Sequence, residues 1–283
     1  MLTLTASLSR HAIALGVLGL AAMAANAQTA PLRTGVDATF APHAMVKLGG
    51  GLQGFNIELG EELARRLGRK IEIEGTEFSG LVPGLNAKKY DFLLAPVTVT
   101  AERAKAMLFT EGYMNADFTF VTKKGAPPIT LDGLKGKTVA VNKGSAYESW
   151  SKDNAEKYGF KYDVFGTSAD ATQAVIAGRA DTTLVGNTVA GWAAKQNPAV
   201  QTSLTMKVGN QWALAFRADD KAGRDAASMA LKCMKQDGFV GRIAEKWFGF
   251  KPDADSVAVK VETGTGVPGF DGYDPTPVAL KCA

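Results

Sequence analysis

Three short polar stretches of the sequence could bind an anion, and the first contains Arg103. In Thr98 to Arg103 (TVTAER), Thr100 can cap a following helix, which places Arg103 in the first helical turn. A guanidinium group is a planar fork that pairs with a carboxylate through two parallel hydrogen bonds. The pattern indicates a carboxylate site, although an arginine on a solvated helix face would have the same spacing.

The second stretch is a predicted helix start. Ser145 and Glu148 form the capping box S-x-x-E, and Gly144 before them lets the backbone approach a ligand closely. The free backbone N–H groups and the helix dipole at such an end, near Ala146, favour an anion. A helix cap without any ligand is the alternative.

The remaining candidates follow predicted strands. Gly186 and Asn187 form the third stretch, and Asn187 either hydrogen-bonds a ligand or caps the next helix. Phe40 and Phe78 lie in loops, where each ring is either a wall of a ligand site or an apolar group buried under its loop. His43 shares the Phe40 loop and either lines the same site or is a structural histidine.

Catalytic and metal-binding patterns are missing from the sequence. It contains no G-x-S-x-G, no P-loop and no G-x-G-x-x-G after a strand. Neither of its 2 histidines lies near a cysteine, so the sequence offers no zinc-ligand spacing. We therefore expect a protein that is not an enzyme and uses no cofactor and no metal.

The amino-terminal residues resemble an export signal. Arg10 and His11 precede an apolar run at 12–24, which ends at the small-x-small step 25–27. The run is shorter than the roughly 20 apolar residues of a membrane-spanning helix. Residues 1–27 are therefore predicted to be a signal peptide, and the mature chain is expected in the periplasm.

The composition excludes several classes of partner. The 32 basic and 28 acidic residues are interspersed, so the charge pattern does not favour binding to nucleic acid or to a membrane surface. The 2 cysteines, Cys233 and Cys282, are an even number in an exported chain, which favours a disulfide. That bond would tie the carboxyl-terminal tail to a helix. We expect a monomer, because nothing in the sequence indicates a symmetric interface.

The hydrophobic pattern alternates between strands and helices. A βαβαβ order occurs at residues 32–95 and again at 137–185, and a strand at 211–217 returns toward the first unit. This order predicts parallel sheets with helices on their faces. Two lobes joined by crossings near 118–122 and 211–217 fit it, and so does a single open sheet.

Taken together, several motifs resemble the family 3 periplasmic solute-binding proteins, which bind polar amino acids for ABC importers. The resemblance covers roughly residues 30 to 250. The motifs that carry it are Gly54 to Leu59 (GFNIEL), Phe78 to Leu85 (FSGLVPGL), Thr98 to Arg103, Ala177 to Asp181 (AGRAD) and Ala244 to Gly249 (AEKWFG).

The resemblance implies the type II periplasmic binding protein fold, in which two parallel-sheet α/β lobes are joined by two crossing segments. Lobe 1 would comprise residues 28–118 and 218–250, and lobe 2 residues 119–217. Residues 251–283 would form a tail packed on lobe 1. The implied function is capture of a small carboxylate-bearing ligand, an amino acid or related organic acid, for a membrane permease.

The resemblance also assigns roles to individual residues. Arg103 would pair with the ligand carboxylate, and Asp37 would lie near the ligand's side-chain end. The positions that match ligand-binding positions of the family are Asp37, Phe40, Phe78, Thr98, Arg103, Ser145 and Ala146.

Two positions depart from the family pattern. Gly186, followed by Asn187, stands where an aspartate usually binds the ligand's α-ammonium, and Pro96 replaces a serine and removes an N–H donor. A buried ammonium without a carboxylate partner is poorly compensated. This suggests a keto acid, a hydroxy acid or a simple organic acid. If Asp37 reaches the ammonium instead, an ordinary amino acid fits.

Two other functions fit the same fold. Some relatives are dehydratases of cyclic acids, so an enzyme resembling cyclohexadienyl dehydratase is one alternative; its acid–base candidates would be Asp37, His43 and Glu148. A module that delivers a ligand signal to a membrane receptor is the other.

Overall fold

The structure, a computed structural model, describes residues 30–282. The predicted signal peptide at residues 1–27 lies outside them. The described chain forms two main β-sheets with helices packed on their faces, which confirms the predicted α/β fold class. No helix in this part of the chain combines the length and the apolar character needed to cross a bilayer.

The first sheet contains the strands that open the chain and one strand that returns to it. Its strands are β1 (Leu32–Asp37), β4 (Ile71–Thr76), β5 (Phe92–Thr98), β6 (Met107–Phe109), β7 (Met114–Asn115) and β13 (Gln211–Arg217). β1 pairs in parallel with β4 and β5, whereas β13 pairs antiparallel with β5. A short hairpin, β2 (Met45–Val46) with β3 (Leu52–Gln53), surrounds a turn that contains three consecutive glycines at positive φ, residues 49–51.

The second sheet repeats this plan. Its strands are β8 (Phe118–Lys123), β9 (Thr138–Asn142), β10 (Lys161–Phe165), β11 (Thr182–Gly186) and β12 (Val200–Met206). β9 pairs in parallel with β10 and β11, and β8 lies antiparallel beside β11. In both sheets the parallel strands therefore end at one edge, and loops from those ends can form a common site.

Four of the described helices begin at a side chain that accepts a free backbone N–H group, at Thr100, Ser145, Thr167 and Asp220. The helices are α1 (Phe55–Arg66), α2 (Leu81–Asn86), α3 (Ala101–Ala106), α4 (Ala146–Tyr158), α5 (Ser168–Ile176), α6 (Asn187–Gln196), α7 (Lys221–Gln236) and α8 (Phe239–Phe248). We call the first sheet with its helices lobe 1 and the second sheet with its helices lobe 2.

The structure places β13 in lobe 1, whereas the sequence-based boundary at residue 217 put it in lobe 2. β13 belongs to the first sheet because Trp212 pairs with Thr98 of β5. The crossings lie just before β8 and β13, and the Ala116 N–H donates to the Asn210 carbonyl there at 2.8 Å. The two crossing segments thus lie side by side.

The tail beyond α8 is held on lobe 1. Cys282 forms the predicted disulfide with Cys233 of α7. The Arg224 side chain donates to the Gly272 carbonyl at 2.9 Å, and Val267 packs into an apolar cluster with strands of the first sheet. The described part of the tail therefore wraps lobe 1 with fixed contacts.

Candidate functional site

A cleft lies between the two lobes at the ends of the parallel strands. The space between the lobes, counted together with the solvent at its mouth, is about 320 Å³. Lobe 1 and the loops that follow its strands line it with Asp37, Phe40, Phe78, Pro96, Thr98 and Arg103, and lobe 2 lines it with Asn142, Ser145, Ala146 and Tyr147.

Arg103 reaches across this cleft. Its Nη1 donates to the Thr98 carbonyl at 2.8 Å within lobe 1, and its Nη2 donates to the Gly144 carbonyl of lobe 2 at 2.9 Å. The guanidinium carbon lies 5.6 Å from the centroid of the Phe78 ring. A guanidinium has five N–H donors, so these two bonds leave donors for a carboxylate.

Arg103 carries its positive charge at neutral pH. Burial lowers the pKa of Arg103 below its ordinary value, although nearby Tyr147 and Glu102 oppose this shift. Burial also raises the pKa of Tyr147 above its ordinary 10.0, so this phenol stays neutral beside the guanidinium. The Arg103 end of the cleft is therefore positively charged.

The predicted capping box forms at the start of α4. Ser145 Oγ accepts the Glu148 N–H at 3.2 Å, and the Glu148 carboxylate accepts the Gly144 N–H at 2.6 Å, one residue earlier than the usual box. The N–H groups of Ala146 and Tyr147 have no acceptor within residues 30–282. They are available to an anion between this turn and Arg103.

Asp37 ends β1 and is 1% exposed. Its Oδ1 accepts the Thr39 N–H at 2.9 Å and the Thr39 hydroxyl at 2.7 Å. Its Oδ2 is buried and has no hydrogen-bond partner in the described chain. Burial raises the pKa of Asp37, and the hydrogen bonds from Thr39 lower it.

Trp212 of β13 is fully buried and packs against Gly186 of lobe 2. Its Nε1 donates to Thr98 Oγ1 at 3.2 Å, and Phe40 lies edge-on to its ring with centroids 6.2 Å apart. Phe40 and Phe78 both line the cleft.

Three predicted site residues, His43, Gly186 and Asn187, are not among the residues that line the cleft. Gly186 lies behind Trp212 and Tyr147; a Cβ added to it would sit 2.6 Å from Trp212 Cζ2 and 2.9 Å from the Tyr147 hydroxyl. Asn187 lines a separate groove on the surface of α6.

Asn142 and Tyr147 line the cleft but were absent from the predicted set. Asn142 is the last residue of β9, so a search for polar residues at the carboxyl ends of parallel strands would select it. Tyr147 is the second residue of α4, directly after the capping Ser145. Both could have been found from their positions.

His43 links the two lobes behind the cleft. The Asn56 amide nitrogen donates to the Leu94 carbonyl at 2.5 Å and to Tyr113 Oη at 2.7 Å, so Asn56 Oδ1 accepts from His43 Nδ1 at 2.9 Å. His43 Nε2 then accepts the Thr188 hydroxyl of α6 at 2.7 Å. The site-lining prediction fails for His43 because both ring nitrogens are engaged by protein groups.

We expect His43 to make stability depend on pH. Burial lowers its pKa from 6.5 to about 4, so the unfolded chain binds a proton more readily than the folded protein. Stability is then full above pH 6.5 and falls as the pH decreases toward 4, by about 2.5 kcal/mol at pH 4.5. Urea unfolding at pH 7 and pH 4.5 measures this loss.

The variant His43→Gln separates this loss from other titrations, because it cannot take up the proton. Its free energy of unfolding should decrease less than that of the wild type over the same interval. Equal decreases in the two proteins would show that His43 does not cause the effect.

Comparisons with known proteins agree with this geometry. The family model for bacterial extracellular solute-binding proteins, family 3, matches residues 32–250. An arginine-binding extracellular protein of Bacillus subtilis (strain 168) is 33% identical over 207 residues, which are 71% of this chain and 80% of that protein.

Two solved structures are also similar. An ancestral arginine-binding protein bound to arginine is 36% identical, with a TM-score of 0.74 over 77% of this chain and 98% of that one. An ancestral amino-acid-binding protein, a precursor of cyclohexadienyl dehydratase, is 33% identical, with a TM-score of 0.72 over 77% of this chain and 95% of that one.

Proposed function

Because this chain belongs to the bacterial extracellular solute-binding proteins of family 3, we propose that it captures an amino-acid-like solute between its lobes for an ABC importer. The observation that carries the proposal is the meeting of Arg103 from lobe 1 with the Gly144–Ser145 turn of lobe 2. A carboxylate between them would receive N–H groups from both lobes at once.

The arrangement couples binding to lobe closure. An anion held only by Arg103 or only by the α4 amides would lose half of its donors, so the liganded state favours the closed form. Pro96 has no N–H to offer, which leaves the carboxylate to these two elements. A closed, liganded protein is the species that a membrane permease would receive.

The proposed location is the periplasm, and the proposed partner is the permease of an importer. Relatives are named as extracellular or periplasmic binding proteins, including a lysine/arginine/ornithine-binding periplasmic protein of Escherichia coli (strain K12). The predicted signal peptide is in keeping with this location. Measuring solute uptake by cells with and without the gene would test the transport role.

Thermal unfolding of the purified protein with a panel of amino acids and organic acids tests the binding proposal. A ligand at 100 times its dissociation constant stabilises the folded state by about 2.7 kcal/mol, which raises the melting temperature by about 5–10 °C for a chain of this size. At least one carboxylate-bearing solute should do so. A panel without any such shift would contradict the proposal.

A cyclohexadienyl dehydratase-like activity is the second candidate, favoured by the similarity to the precursor of that enzyme. Loss of water needs a general acid or base at the substrate, and Asp37 is the acidic side chain of the cleft lining. Incubation with prephenate followed by a product assay separates an enzyme from a binding protein.

Within residues 30–282, no group of three or more His, Cys, Asp or Glu could hold a metal ion.

A further inference from the structure

The cleft carries one charge of each sign. Arg103 and Asp37 are its charged lining residues, and the other lining side chains are neutral or apolar. The charges have different surroundings: Arg103 already donates to two carbonyls, whereas Asp37 Oδ2 is buried without any partner in the described chain. An unpaired buried carboxylate oxygen is unfavourable unless a ligand supplies a donor.

The cleft lining next to Arg103 contains no counter-charge for a second cation, since nearby Glu102 is exposed and is not a lining residue. The lining groups around the guanidinium are the carbonyls of Thr98 and Gly144, the Phe78 ring and the neutral Tyr147 phenol. An ammonium on the carbon next to the ligand carboxylate would lie among these groups and close to the guanidinium. Like charges without a counter-ion in a buried site are strongly unfavourable.

The fold also blocks an acid at the position where the family pattern has one. A side chain at Gly186 would collide with the Trp212 ring and the Tyr147 hydroxyl, as its Cβ contacts show. The two aromatic residues therefore keep this side of the cleft uncharged. Asp37 lies on the other side of Phe78, whose ring faces Arg103 and whose N–H approaches the Asp37 carboxylate.

Resting on the proposed function, we infer that the cleft selects a ligand of net charge zero that has no α-ammonium and carries its single cation at the far end from its carboxylate. The carboxylate binds Arg103 and the α4 amides, and the cation donates to Asp37 Oδ2. The class is that of terminal amino or guanidino carboxylic acids. Keto and hydroxy acids, which the sequence suggested, would leave Asp37 Oδ2 unpaired.

Calorimetry on the wild-type protein tests this inference with four pairs of compounds that differ by one α-amino group. The pairs are 4-aminobutanoate and 2,4-diaminobutanoate, 5-aminopentanoate and ornithine, 4-guanidinobutanoate and 2-amino-4-guanidinobutanoate, and 5-guanidinopentanoate and arginine. The tightest ligand should lack the α-amino group and bind about tenfold or more tightly than its partner, because the partner's second cation has no counter-charge.

Each other outcome has a defined meaning. If the α-amino member of the tightest pair binds equally well or better, the inference is wrong and the proposed function stands. The same holds if none of the eight compounds binds while another solute of the thermal panel does. If no solute binds in either experiment, the proposed function fails together with the inference.

The variant Asp37→Asn tests the cation position directly. Asparagine keeps an oxygen for the Thr39 hydrogen bonds but loses the charge. The wild type should prefer the tightest ligand over its uncharged isostere by about 30-fold, as expected for a charge-assisted bond, and the variant by less than about threefold. The exposed Asp163→Asn variant of β10 is the control and should keep the preference. A preference retained in Asp37→Asn would overturn the inference.

Discussion

Replacing Glu111 with glutamine is expected to lower the free energy of unfolding by about 3–5 kcal/mol. Glu111 is fully buried between β6 and β7 and pairs with two buried lysines of α7. Lys232 Nζ donates to its Oε2, and Lys235 Nζ lies 2.7 Å from its Oε1. The substitution would leave two buried ammonium groups without their carboxylate.

The cluster also fixes the tail of the chain. The Glu262 N–H donates to Glu111 Oε2 at 3.2 Å, and Lys235 Nζ donates to the Lys260 carbonyl at 3.0 Å. Burial lowers the pKa of Lys235, and Glu111 raises it. Loss of Glu111 therefore lowers the pKa of Lys235 further. As a result, Lys235 binds its proton more tightly in the unfolded chain than in the folded variant.

Urea unfolding measures both consequences. The free energy of unfolding of Glu111→Gln should lie closer to that of the wild type at pH 9 than at pH 7. The reason is that stability rises with pH wherever the unfolded state binds more protons than the folded state. The matched control is Glu74→Gln, which removes an ion pair to Lys89 whose side chains are about half exposed; it should change stability by less than about 1 kcal/mol. Similar effects of the two substitutions would show that burial of the Glu111 cluster is unimportant.

Strong local signals made part of the fold predictable from the sequence. The sequence predicted α4 at residues 146–158, which are its bounds in the structure, because Ser145 caps its start and Gly159 in the left-handed conformation ends it. It also predicted β13 with its bounds, around the apolar run of five residues from Trp212 to Phe216. It missed β12, an edge strand whose burial does not alternate regularly, and the two-residue strands β2 and β3.

The candidate site was predictable only where a chain position determines the surroundings of a residue. Predicted helix starts selected Arg103 and Ser145, the family resemblance added Thr98, and the structure brings the three together in the cleft lining. His43 was misplaced because its partner Thr188 is 145 positions away and no local pattern reveals the contact. The crowding around Gly186 could not be predicted from the sequence, because the Trp212 ring contacts this position from a strand of the other lobe.

Replacing Arg103 with alanine is expected to weaken ligand binding by about 100-fold or more, or about 2.7 kcal/mol. The substitution removes the guanidinium from a carboxylate site and leaves that carboxylate with the α4 amides alone. Arg103→Lys keeps the charge but not the planar fork. It should bind more tightly than the alanine variant and more weakly than the wild type.

A matched arginine elsewhere serves as the control. Arg179 lies over the Phe165 ring at 5.9 Å, as Arg103 lies over Phe78 at 5.6 Å, but it is exposed on lobe 2 and away from the cleft. Arg179→Ala should bind ligand like the wild type. If it weakened binding as much as Arg103→Ala, the loss would not report on the cleft.

Arg103 also bridges the lobes through the Gly144 carbonyl, so a loss of affinity has two physical origins that must be separated. A double-mutant cycle does this by comparing the ligand with its carboxamide analogue in both proteins. The wild type should bind the carboxylate far more tightly than the amide, whereas Arg103→Ala should keep only the smaller preference that the amino end of α4 supplies. A variant with an undiminished preference for the carboxylate would show that Arg103 acts on lobe closure alone.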